Sequence, residues 1–570
     1  MPYGGEQLLR EFGEMAYAVK RLHWIFLVVA GAVAIHGLVP ALVEHKLVAG
    51  HDTAAYAIYA TEFHENIRSG NWFPIWAADL RFGHGEPHLA FRPPLQLFLT
   101  EFIFTVLRDP ITAVNWTMVV ILLGALAAMY AFLRDHTTRT VAALGASVYG
   151  LSPYLLRDVY IRGALSEATA FVVLPLLALT SLRLIRRPSR TNFIFYALSW
   201  ALLASCHAAI LLIATPFFVA GILIYYKSFG LRKHSAWQKL LAGFLFGLGS
   251  SSFYWLSALL EQKHVASPLI GVDFEAYIWH FKQLTQILFS SFTSIKNKTL
   301  AYNVGEPILF ALLLFPFVAW RNHVSRLLAL GMVIVFYFMH QTSAIWYELL
   351  PWLQSMTYPW RFLTMATFLG ALLFSCLINL QAKWIEKKVA ITFLIFLSLT
   401  AFGFIHAKAP ALYTFTGHTF SPSSLASTGT GWAKPYTVPA STGFMPTSKP
   451  ESWLDFVSGR GEAQCKRPSP TRIFCEVMAI QPAIIRFNVL DYPGWTVVRE
   501  NTQIEKITEP GFGRILVELP HGKQTLELIL KNTGARWFTK TLSILSFLGI
   551  FVLVFFRKAT FASLLSKARR

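Results

Sequence analysis

Apolar runs alternate with short polar segments along nearly the whole chain. The runs fall near 22–43, 111–133, 140–156, 167–183, 192–207, 208–226, 238–260, 305–320, 325–340, 361–380, 389–406 and 537–556. Each is near the length an α-helix needs to cross a bilayer, so the pattern predicts about twelve membrane-spanning helices. The run 93–107 is shorter, opens on Pro93 and Pro94, and is interrupted by Glu101. If it does not cross, the basic clusters all fall on one side: Arg134/Arg139, Arg183 to Arg190, Lys227 to Lys239, Arg321/Arg326, Lys383 to Lys388 and the tail from Arg557 to Arg570. The basic N-terminus (Arg10, Lys20, Arg21) joins them. That is the positive-inside pattern, so 93–107 is expected to be a re-entrant or interfacial helix on the outer face, with both termini cytoplasmic. The run 22–43 is too long for a signal-peptide core and reads as a retained first span.

Four polar segments then lie outside: 44–110, the turn near 157–166, the loop 261–304 and the segment 407–536. The last begins with a stretch rich in Ser, Thr, Gly and Pro. Strand-like runs follow at 472–478, 483–490, 495–499, 514–519 and 524–530, several with apolar–polar alternation. They predict a small antiparallel β-sandwich, tethered by the final span. The organisation expected is a helical membrane domain over 1–406 with its first outer loop at 44–110, a β-rich domain over 407–536, and a last helix with a basic tail over 537–570.

Composition agrees. Of 570 residues, 55% are hydrophobic and 14% charged, and the mean hydropathy is +0.48. A soluble domain carries about 25% charged residues. The net charge of +20 would suit a nucleic-acid partner, but its distribution between apolar runs is what membrane topology demands. Cys206 and Cys376 lie in apolar runs and read as core. Cys465 and Cys475 flank Lys466-Arg467-Pro468-Ser469-Pro470, and a hairpin disulfide between them fits an oxidising compartment; two unpaired thiols are the alternative.

The long polar loop from Gly50 to Pro94 is where function is expected. His51-Asp52 stands just outside the first span and before a helical stripe of Tyr56, Tyr59, Ala60, Phe63 and Ile67. Asp52 reads as the N-cap of that helix, and equally as a general base at the membrane surface; a capping Asp can do both. Gly83-His84-Gly85-Glu86-Pro87 and Phe91-Arg92-Pro93-Pro94 predict a compact turn that lets a ligand approach the backbone. Arg81 and Arg92 are candidate phosphate ligands, or solvated charges. Arg162 and Glu167, at the outer surface, either pair with each other or meet substrate. Arg361, in Tyr358-Pro359-Trp360-Arg361, breaks the outer charge bias and suits a lipid headgroup or an anionic ligand. His207 reads as a core histidine. A divalent metal on His51, Asp52, His64, His84 or His88 is the second reading of the loop, but no two of these form a standard ligand pair on one helix, so none is assigned.

These motifs, in this order, resemble a known group. His51-Asp52, Gly83-His84-Gly85-Glu86-Pro87 with Phe91 and the prolines, Ser152-Pro153-Tyr154 leading to Tyr160-Ile161-Arg162-Gly163-Ala164 and Glu167, and Tyr358-Pro359-Trp360-Arg361-Phe362-Leu363 resemble bacterial membrane proteins labelled 6-pyruvoyl-tetrahydropterin synthase-related. Tyr492-Pro493-Gly494-Trp495 in a terminal β-domain resembles them too. Nothing in these residues suggests pterin chemistry. The group in turn resembles the GT-C glycosyltransferases, polytopic enzymes with an acidic residue in the first outer loop. The resemblance implies a GT-C-like fold in the bacterial cytoplasmic membrane and an inverting transfer that needs no resident cofactor. The donor it implies is a polyprenyl-phosphate-linked sugar, and the acceptor an envelope glycan, lipid or protein. Asp52 would be the base with His51 positioning it, and Arg81, His84, Arg92, Arg162, Glu167 and Arg361 would bind donor phosphate or substrate. A flippase of lipid-linked sugars and a non-catalytic envelope scaffold are the alternatives from other classes.

Overall fold

The computed structural model describes residues 22–228, 234–265, 276–288, 302–354, 356–380, 387–407, parts of 412–424, and 448–555. The basic N-terminus, the tail after Phe555 and the Ser/Thr/Gly/Pro-rich stretch 425–447 lie outside the described residues, as do Arg232, Lys233 and Lys383. Each of the twelve apolar runs is helical. Among the described residues, six helices are long and apolar enough to cross a membrane: Leu22–Val43, Pro110–Arg134, Leu165–Arg186, Ala208–Tyr226, Pro359–Leu380 and Gly534–Val552. Two further spans would be bent pairs. Ala236–Ser250 meets Ser252–His264 at 64°, and His323–Met339 meets Gln341–Leu349 at 84°. The chain is thus a helical membrane protein with at least six candidate spans and a C-terminal antiparallel β-region.

The run 140–156 does not stay one helix. Arg139–Gly150 stops, and a short helix Pro153–Arg157 begins with Ser152 in extended conformation (ψ 139°). Proline pushes its predecessor out of the helical region, which accounts for the break. Pro94–Leu107 has 14 residues, about 21 Å of helix and too little for a bilayer core of about 30 Å. It ends where Arg108 turns left-handed (φ 56°) and Asp109 caps the next helix by accepting from the Thr112 N–H at 2.6 Å. Phe102 and Val106 on its outer side are mostly exposed. Such apolar exposure recurs on the flank helices, as at Phe317, and suits contact with lipid.

Nine strands make the β-region: β1 Leu454–Ser458, β2 Gly461–Ser469, β3 Arg472–Ala479, β4 Ala483–Leu490, β5 Trp495–Arg499, β6 Thr502–Ile504, β7 Ile507–Thr508, β8 Arg514–Leu519 and β9 Gly522–Leu530. They form two antiparallel sheets, in the orders β1-β4-β8-β7 and β2-β3-β9-β5-β6. Ile473, Val477, Phe487, Val517 and Leu526 fill the space between them. Cys465 and Cys475 are register partners on β2 and β3 and are joined in a disulfide. The hairpin turn is tighter than the sequence suggested: Lys466 to Ser469 belong to β2, and the chain reverses at Pro470-Thr471.

The β-region is seated on the loop 75–91 and on the helix Ser252–Glu261. Trp76, Ala90, Phe91 and Ala258 share one buried cluster with Tyr492 and Trp495. The Tyr492-Pro493-Gly494-Trp495 turn is the joint. Tyr492 donates its hydroxyl to Glu261 at 3.0 Å, the Pro493 carbonyl accepts from Arg536 at 2.8 Å, and Trp495 meets Trp76 edge to face at 5.3 Å. Gly494 has φ 104°, and a Cβ there would sit 2.3 Å from the Lys531 carbonyl, so only glycine fits. A two-residue ladder, Leu47–Val48 with Leu412–Tyr413, ties the start of the first loop to the chain that follows the helix Lys387–Ala407.

Candidate active site

Gly50 to Thr53 is fastened to the turn at 158–163. The His51 N–H donates to the Ile161 carbonyl at 2.9 Å and the Asp52 N–H to the Arg162 carbonyl at 2.8 Å. Gly50 and Gly163 make this approach possible: a Cβ on Gly163 would lie 2.8 Å from the Thr53 nitrogen. The turn itself is a wide, π-type stretch, Asp158–Arg162, ended by Gly163 at φ 64°. Such single turns recur at functional sites.

Asp52 occupies the cap position of Thr53–Arg68, but its side chain makes no capping hydrogen bond and is exposed. Thr53 takes over the local bonding: its hydroxyl accepts from the Gly50 N–H at 2.6 Å and donates back to the Gly50 carbonyl at 2.9 Å. The Asp52 carboxyl thus projects from a backbone held at both sides. His51 beside it is also exposed.

Behind Asp52 lies a buried charge cluster. Arg162 bonds Asp158 at 2.6 Å and Glu167 at 3.0 Å. Arg361 approaches Glu167 at 3.6 Å and donates to the Met356 carbonyl at 2.6 Å. Tyr154 donates its hydroxyl to Glu167, and Thr364 does so at 3.4 Å. Arg157 lies 3.9 Å from Asp158. Arg361 therefore points into the protein, not to a lipid headgroup, because Glu167 gives it an inward partner. Burial, and Glu167 beside it, push the Asp158 carboxyl above the usual carboxylate range, against the pull of the guanidinium groups. His207 is held neutral: burial first, then Arg361, lowers its ring to about 3, and Nδ1 accepts the Ile210 N–H at 3.4 Å. Arg92 is near enough to contribute to that lowering, and with Asp52 it also acts on Tyr56. Arg162, Arg361 and Glu167 are thus gathered in one place; the Asp52 backbone is bonded to its edge, and Arg92 reaches it through Tyr59, whose ring meets Tyr56, itself bonded to Ser166.

Arg81 and His84 are elsewhere. Arg81 is buried at φ 55° and donates from Nε to Glu86 at 3.4 Å. The His84 Nδ1 is 3.1 Å from the Asn488 carbonyl of β4, and the His84 carbonyl accepts the Leu490 N–H. The glycines of this loop make room for protein, not for a ligand: a Cβ on Gly85 would lie 2.5 Å from the Trp76 ring. The loop is nonetheless tied to the helix Thr53–Arg68 through Arg92 and His88. Arg92 donates from Nε to His88 Nε2 at 2.9 Å and from its second terminal nitrogen to the Tyr59 hydroxyl at 2.9 Å. A guanidinium can only donate, so His88 Nε2 must accept. The proton then sits on Nδ1, which is 2.9 Å from Glu86 Oε1 and donates to it. Asp158 went unremarked in the sequence, although its spacing to Arg162 is that of an i,i+4 pair.

Glu86 gives a pH test. Burial raises its carboxyl to about 8, outweighing Arg81 and Arg92. A glutamate in the unfolded chain ionises near about 4.3. The folded state therefore holds the extra proton between those values, and its contribution to stability is full at low pH and lost as pH rises toward about 8. Glu86→Gln is expected to flatten the fall of the thermal midpoint between about pH 5 and 8.

The candidate metal ligands stay apart. His64 bonds Glu101 at 2.9 Å, while His84 and His88 have the partners given above. Among the described residues no three His, Cys, Asp or Glu side chains converge on one point.

A family model described as "6-pyruvoyl-tetrahydropterin synthase related domain; membrane protein" matches residues 89–408, more than half of the chain. The chain belongs to that family. Arg92, Arg162, Glu167 and Arg361 lie within the matched residues; His51, Asp52, Arg81 and His84 precede them. No curated protein matches the chain in sequence. Among solved structures, it is similar to the arabinofuranosyltransferase AftD from mycobacteria, with a TM-score of 0.42 and 17% identity over 68% of this chain. A mutant of that enzyme gives 0.41 and 17% over 67%. The chain spans about a quarter of AftD's length, 27% in both comparisons.

Proposed function

We propose that this protein is a membrane glycosyltransferase of inverting type that takes a sugar from a polyprenyl-phosphate donor on the outer face of the membrane. Asp52 accepts the proton of an acceptor hydroxyl as its oxygen attacks the anomeric carbon. The new C–O bond forms as the bond from that carbon to the phosphate oxygen breaks, and polyprenyl phosphate leaves with the electron pair. Arg92, Arg162 and Arg361 hold the growing charge. One observation carries the reading: an exposed carboxylate at a helix cap that does no capping, on a backbone pinned beside a buried cationic cluster. Three guanidinium groups (Arg157, Arg162, Arg361) lie against two buried carboxylates there, Asp158 and Glu167, an excess of positive charge suited to a phosphate. Arg81 and His84 act in this reading through the loop they brace.

The test is a glycan profile of envelope lipids, polysaccharides and exported proteins in a deletion strain complemented with wild type or Asp52→Asn. One glycan species is expected to vanish in the deletion and to stay absent with Asp52→Asn at normal protein level. The two bent helix pairs favour a transporter as the second reading, since broken helices line transport paths. Full restoration by Asp52→Asn would leave that reading in front.

A further inference from the structure

The helix His323–Met339 is about 26 Å long, close to a bilayer core of about 30 Å. Arg321 and Arg326 mark one end. At the other the chain turns through 84°, and Gln341–Leu349 runs on at nearly a right angle. A helix set at a right angle to a crossing one lies in the plane of the bilayer. Its depth is that of Met339, where the hydrocarbon ends.

Gln341–Leu349 and the next turn, Pro351–Gln354, have two unlike faces. Tyr347 and Leu353 are buried. Tyr347 stacks on Tyr277 at 5.0 Å, meets Phe281 edge to face at 5.2 Å and donates its hydroxyl to the Phe338 carbonyl at 2.9 Å. Ile345 and Leu349 lie on the opposite side, since about 3.6 residues make a turn. They are 51% and 62% exposed. Trp346 and Trp352 are exposed on the same two turns. So are Ile278 and Trp279 on the neighbouring turn Ala276–His280, which Tyr277 ties down; Trp279 is 81% exposed.

The residues and their place say what covers this face. Proteins surrounded by water rarely leave so many large apolar side chains bare together. Helices that dock on one another inside a membrane meet through Gly, Ala, Ser and Thr, and this face presents rings and branched chains instead. Trp gathers where hydrocarbon meets headgroups, its ring in the apolar layer and its N–H toward polar atoms. Trp346 is held in that way: its ring is bare while Nε1 donates to the Tyr337 hydroxyl at 3.0 Å. Through that bond the face joins the flank of His323–Met339, where Leu330, Val333 and Ile334 are exposed as lipid-facing residues are.

We infer that Ala276–His280 and 341–354 form a foot lying in the membrane plane, and that its partner is the phospholipid bilayer at the boundary between hydrocarbon and headgroups. The foot carries part of the candidate site. His280 meets Trp360 at 4.6 Å, the Met356 N–H donates to the Leu353 carbonyl at 3.0 Å, and the Met356 carbonyl accepts from Arg361. The segment that brings Arg361 to Glu167 is thereby held at headgroup depth. The inference stands without the transferase reading.

The test places a nitroxide label on the full-length protein in liposomes. Trp279→Cys, Leu349→Cys and Met478→Cys are labelled singly in a background carrying Cys206→Ala and Cys376→Ala; Cys465 and Cys475 are joined and do not react. Met478, exposed on β3, is the water-facing control. Power-saturation EPR compares collisions with oxygen, which concentrates in lipid, and with a nickel chelate, which stays in water. Labels at 279 and 349 are expected to lose most of the nickel collisions seen at 478 and to gain oxygen collisions. Thermal midpoints near wild type establish that the variants are folded, and Ile345→Cys replaces either one that is not. Nickel collisions at either position as frequent as at 478 put the face in water and overturn the inference. Protection from both reagents also overturns it, because a second copy or another protein then covers the face.

Discussion

Glu167→Ala is expected to destabilise the folded protein by about 3–5 kcal/mol, seen as a lower thermal midpoint in detergent. Glu167 is 1% exposed and is the shared partner of Arg162, Arg361, Tyr154 and Thr364. Alanine would take from Arg361 the carboxylate it approaches and leave Arg162 with Asp158 alone. A buried charge that loses its partner bears its full desolvation cost, which is far larger than the net worth of the pair. Glu167→Gln separates the two parts of the effect. It keeps the shape and an acceptor for Tyr154 but removes the charge, so the midpoint should fall less than in the alanine variant. Equal midpoints for wild type and Glu167→Ala would mean that the arginines are balanced without it.

Glu261→Ala is expected to cost a similar amount, about 3–5 kcal/mol, at a different place. Glu261 accepts from Arg536 at 2.9 Å, from Tyr492 at 3.0 Å and from Thr533 at 3.0 Å, and both Glu261 and Arg536 are buried. It thus joins the helix after the bend, the β4–β5 turn and the foot of the last helix. Its loss should free the β-region from the loop 75–91 before the helical body melts. Limited proteolysis reads this as early cleavage between Ala407 and Leu454, or within 75–91, while the helical body stays whole. Cleavage patterns identical to wild type would show that the Trp76, Tyr492 and Trp495 packing is sufficient for docking.

The helical body was legible in the sequence because long apolar runs have few alternatives in a bilayer, where backbone groups must bond within the segment. The five strand runs expected from alternation are all strands. β1, β2, β6 and β7 escaped notice for physical reasons, the last two because they are only three and two residues long. β1 pairs only on one side, and β2 alternates half-buried with exposed positions, is mostly polar and contains Pro468. Such strands are edges, where burial leaves little hydrophobic signal. At the candidate site, Arg361 stood out by breaking the outer charge bias, Arg162 and Glu167 by being ionisable at the membrane surface, and Arg92 by its place in the Gly- and Pro-rich loop. What could not be read was which of them meet. Arg81 and His84 sit close to Arg92 in the chain, but the fold turns them toward Glu86 and Asn488. That choice is made by β4, whose side of the contact with His84 lies 404 residues away.

This distance has a consequence for how the protein is made. A chain grows at about 5–20 residues per second. After His84 emerges, about 20–80 s pass before Asn488 and Leu490 exist to receive it. Through that interval Trp76 and Phe91, both almost wholly covered in the finished fold, have no β-region to lie against. The loop that braces Arg92 is therefore among the last parts to set. A nascent chain halted before β4 would carry its membrane helices with an open, sticky loop, a natural target for quality-control proteases and chaperones at the membrane surface.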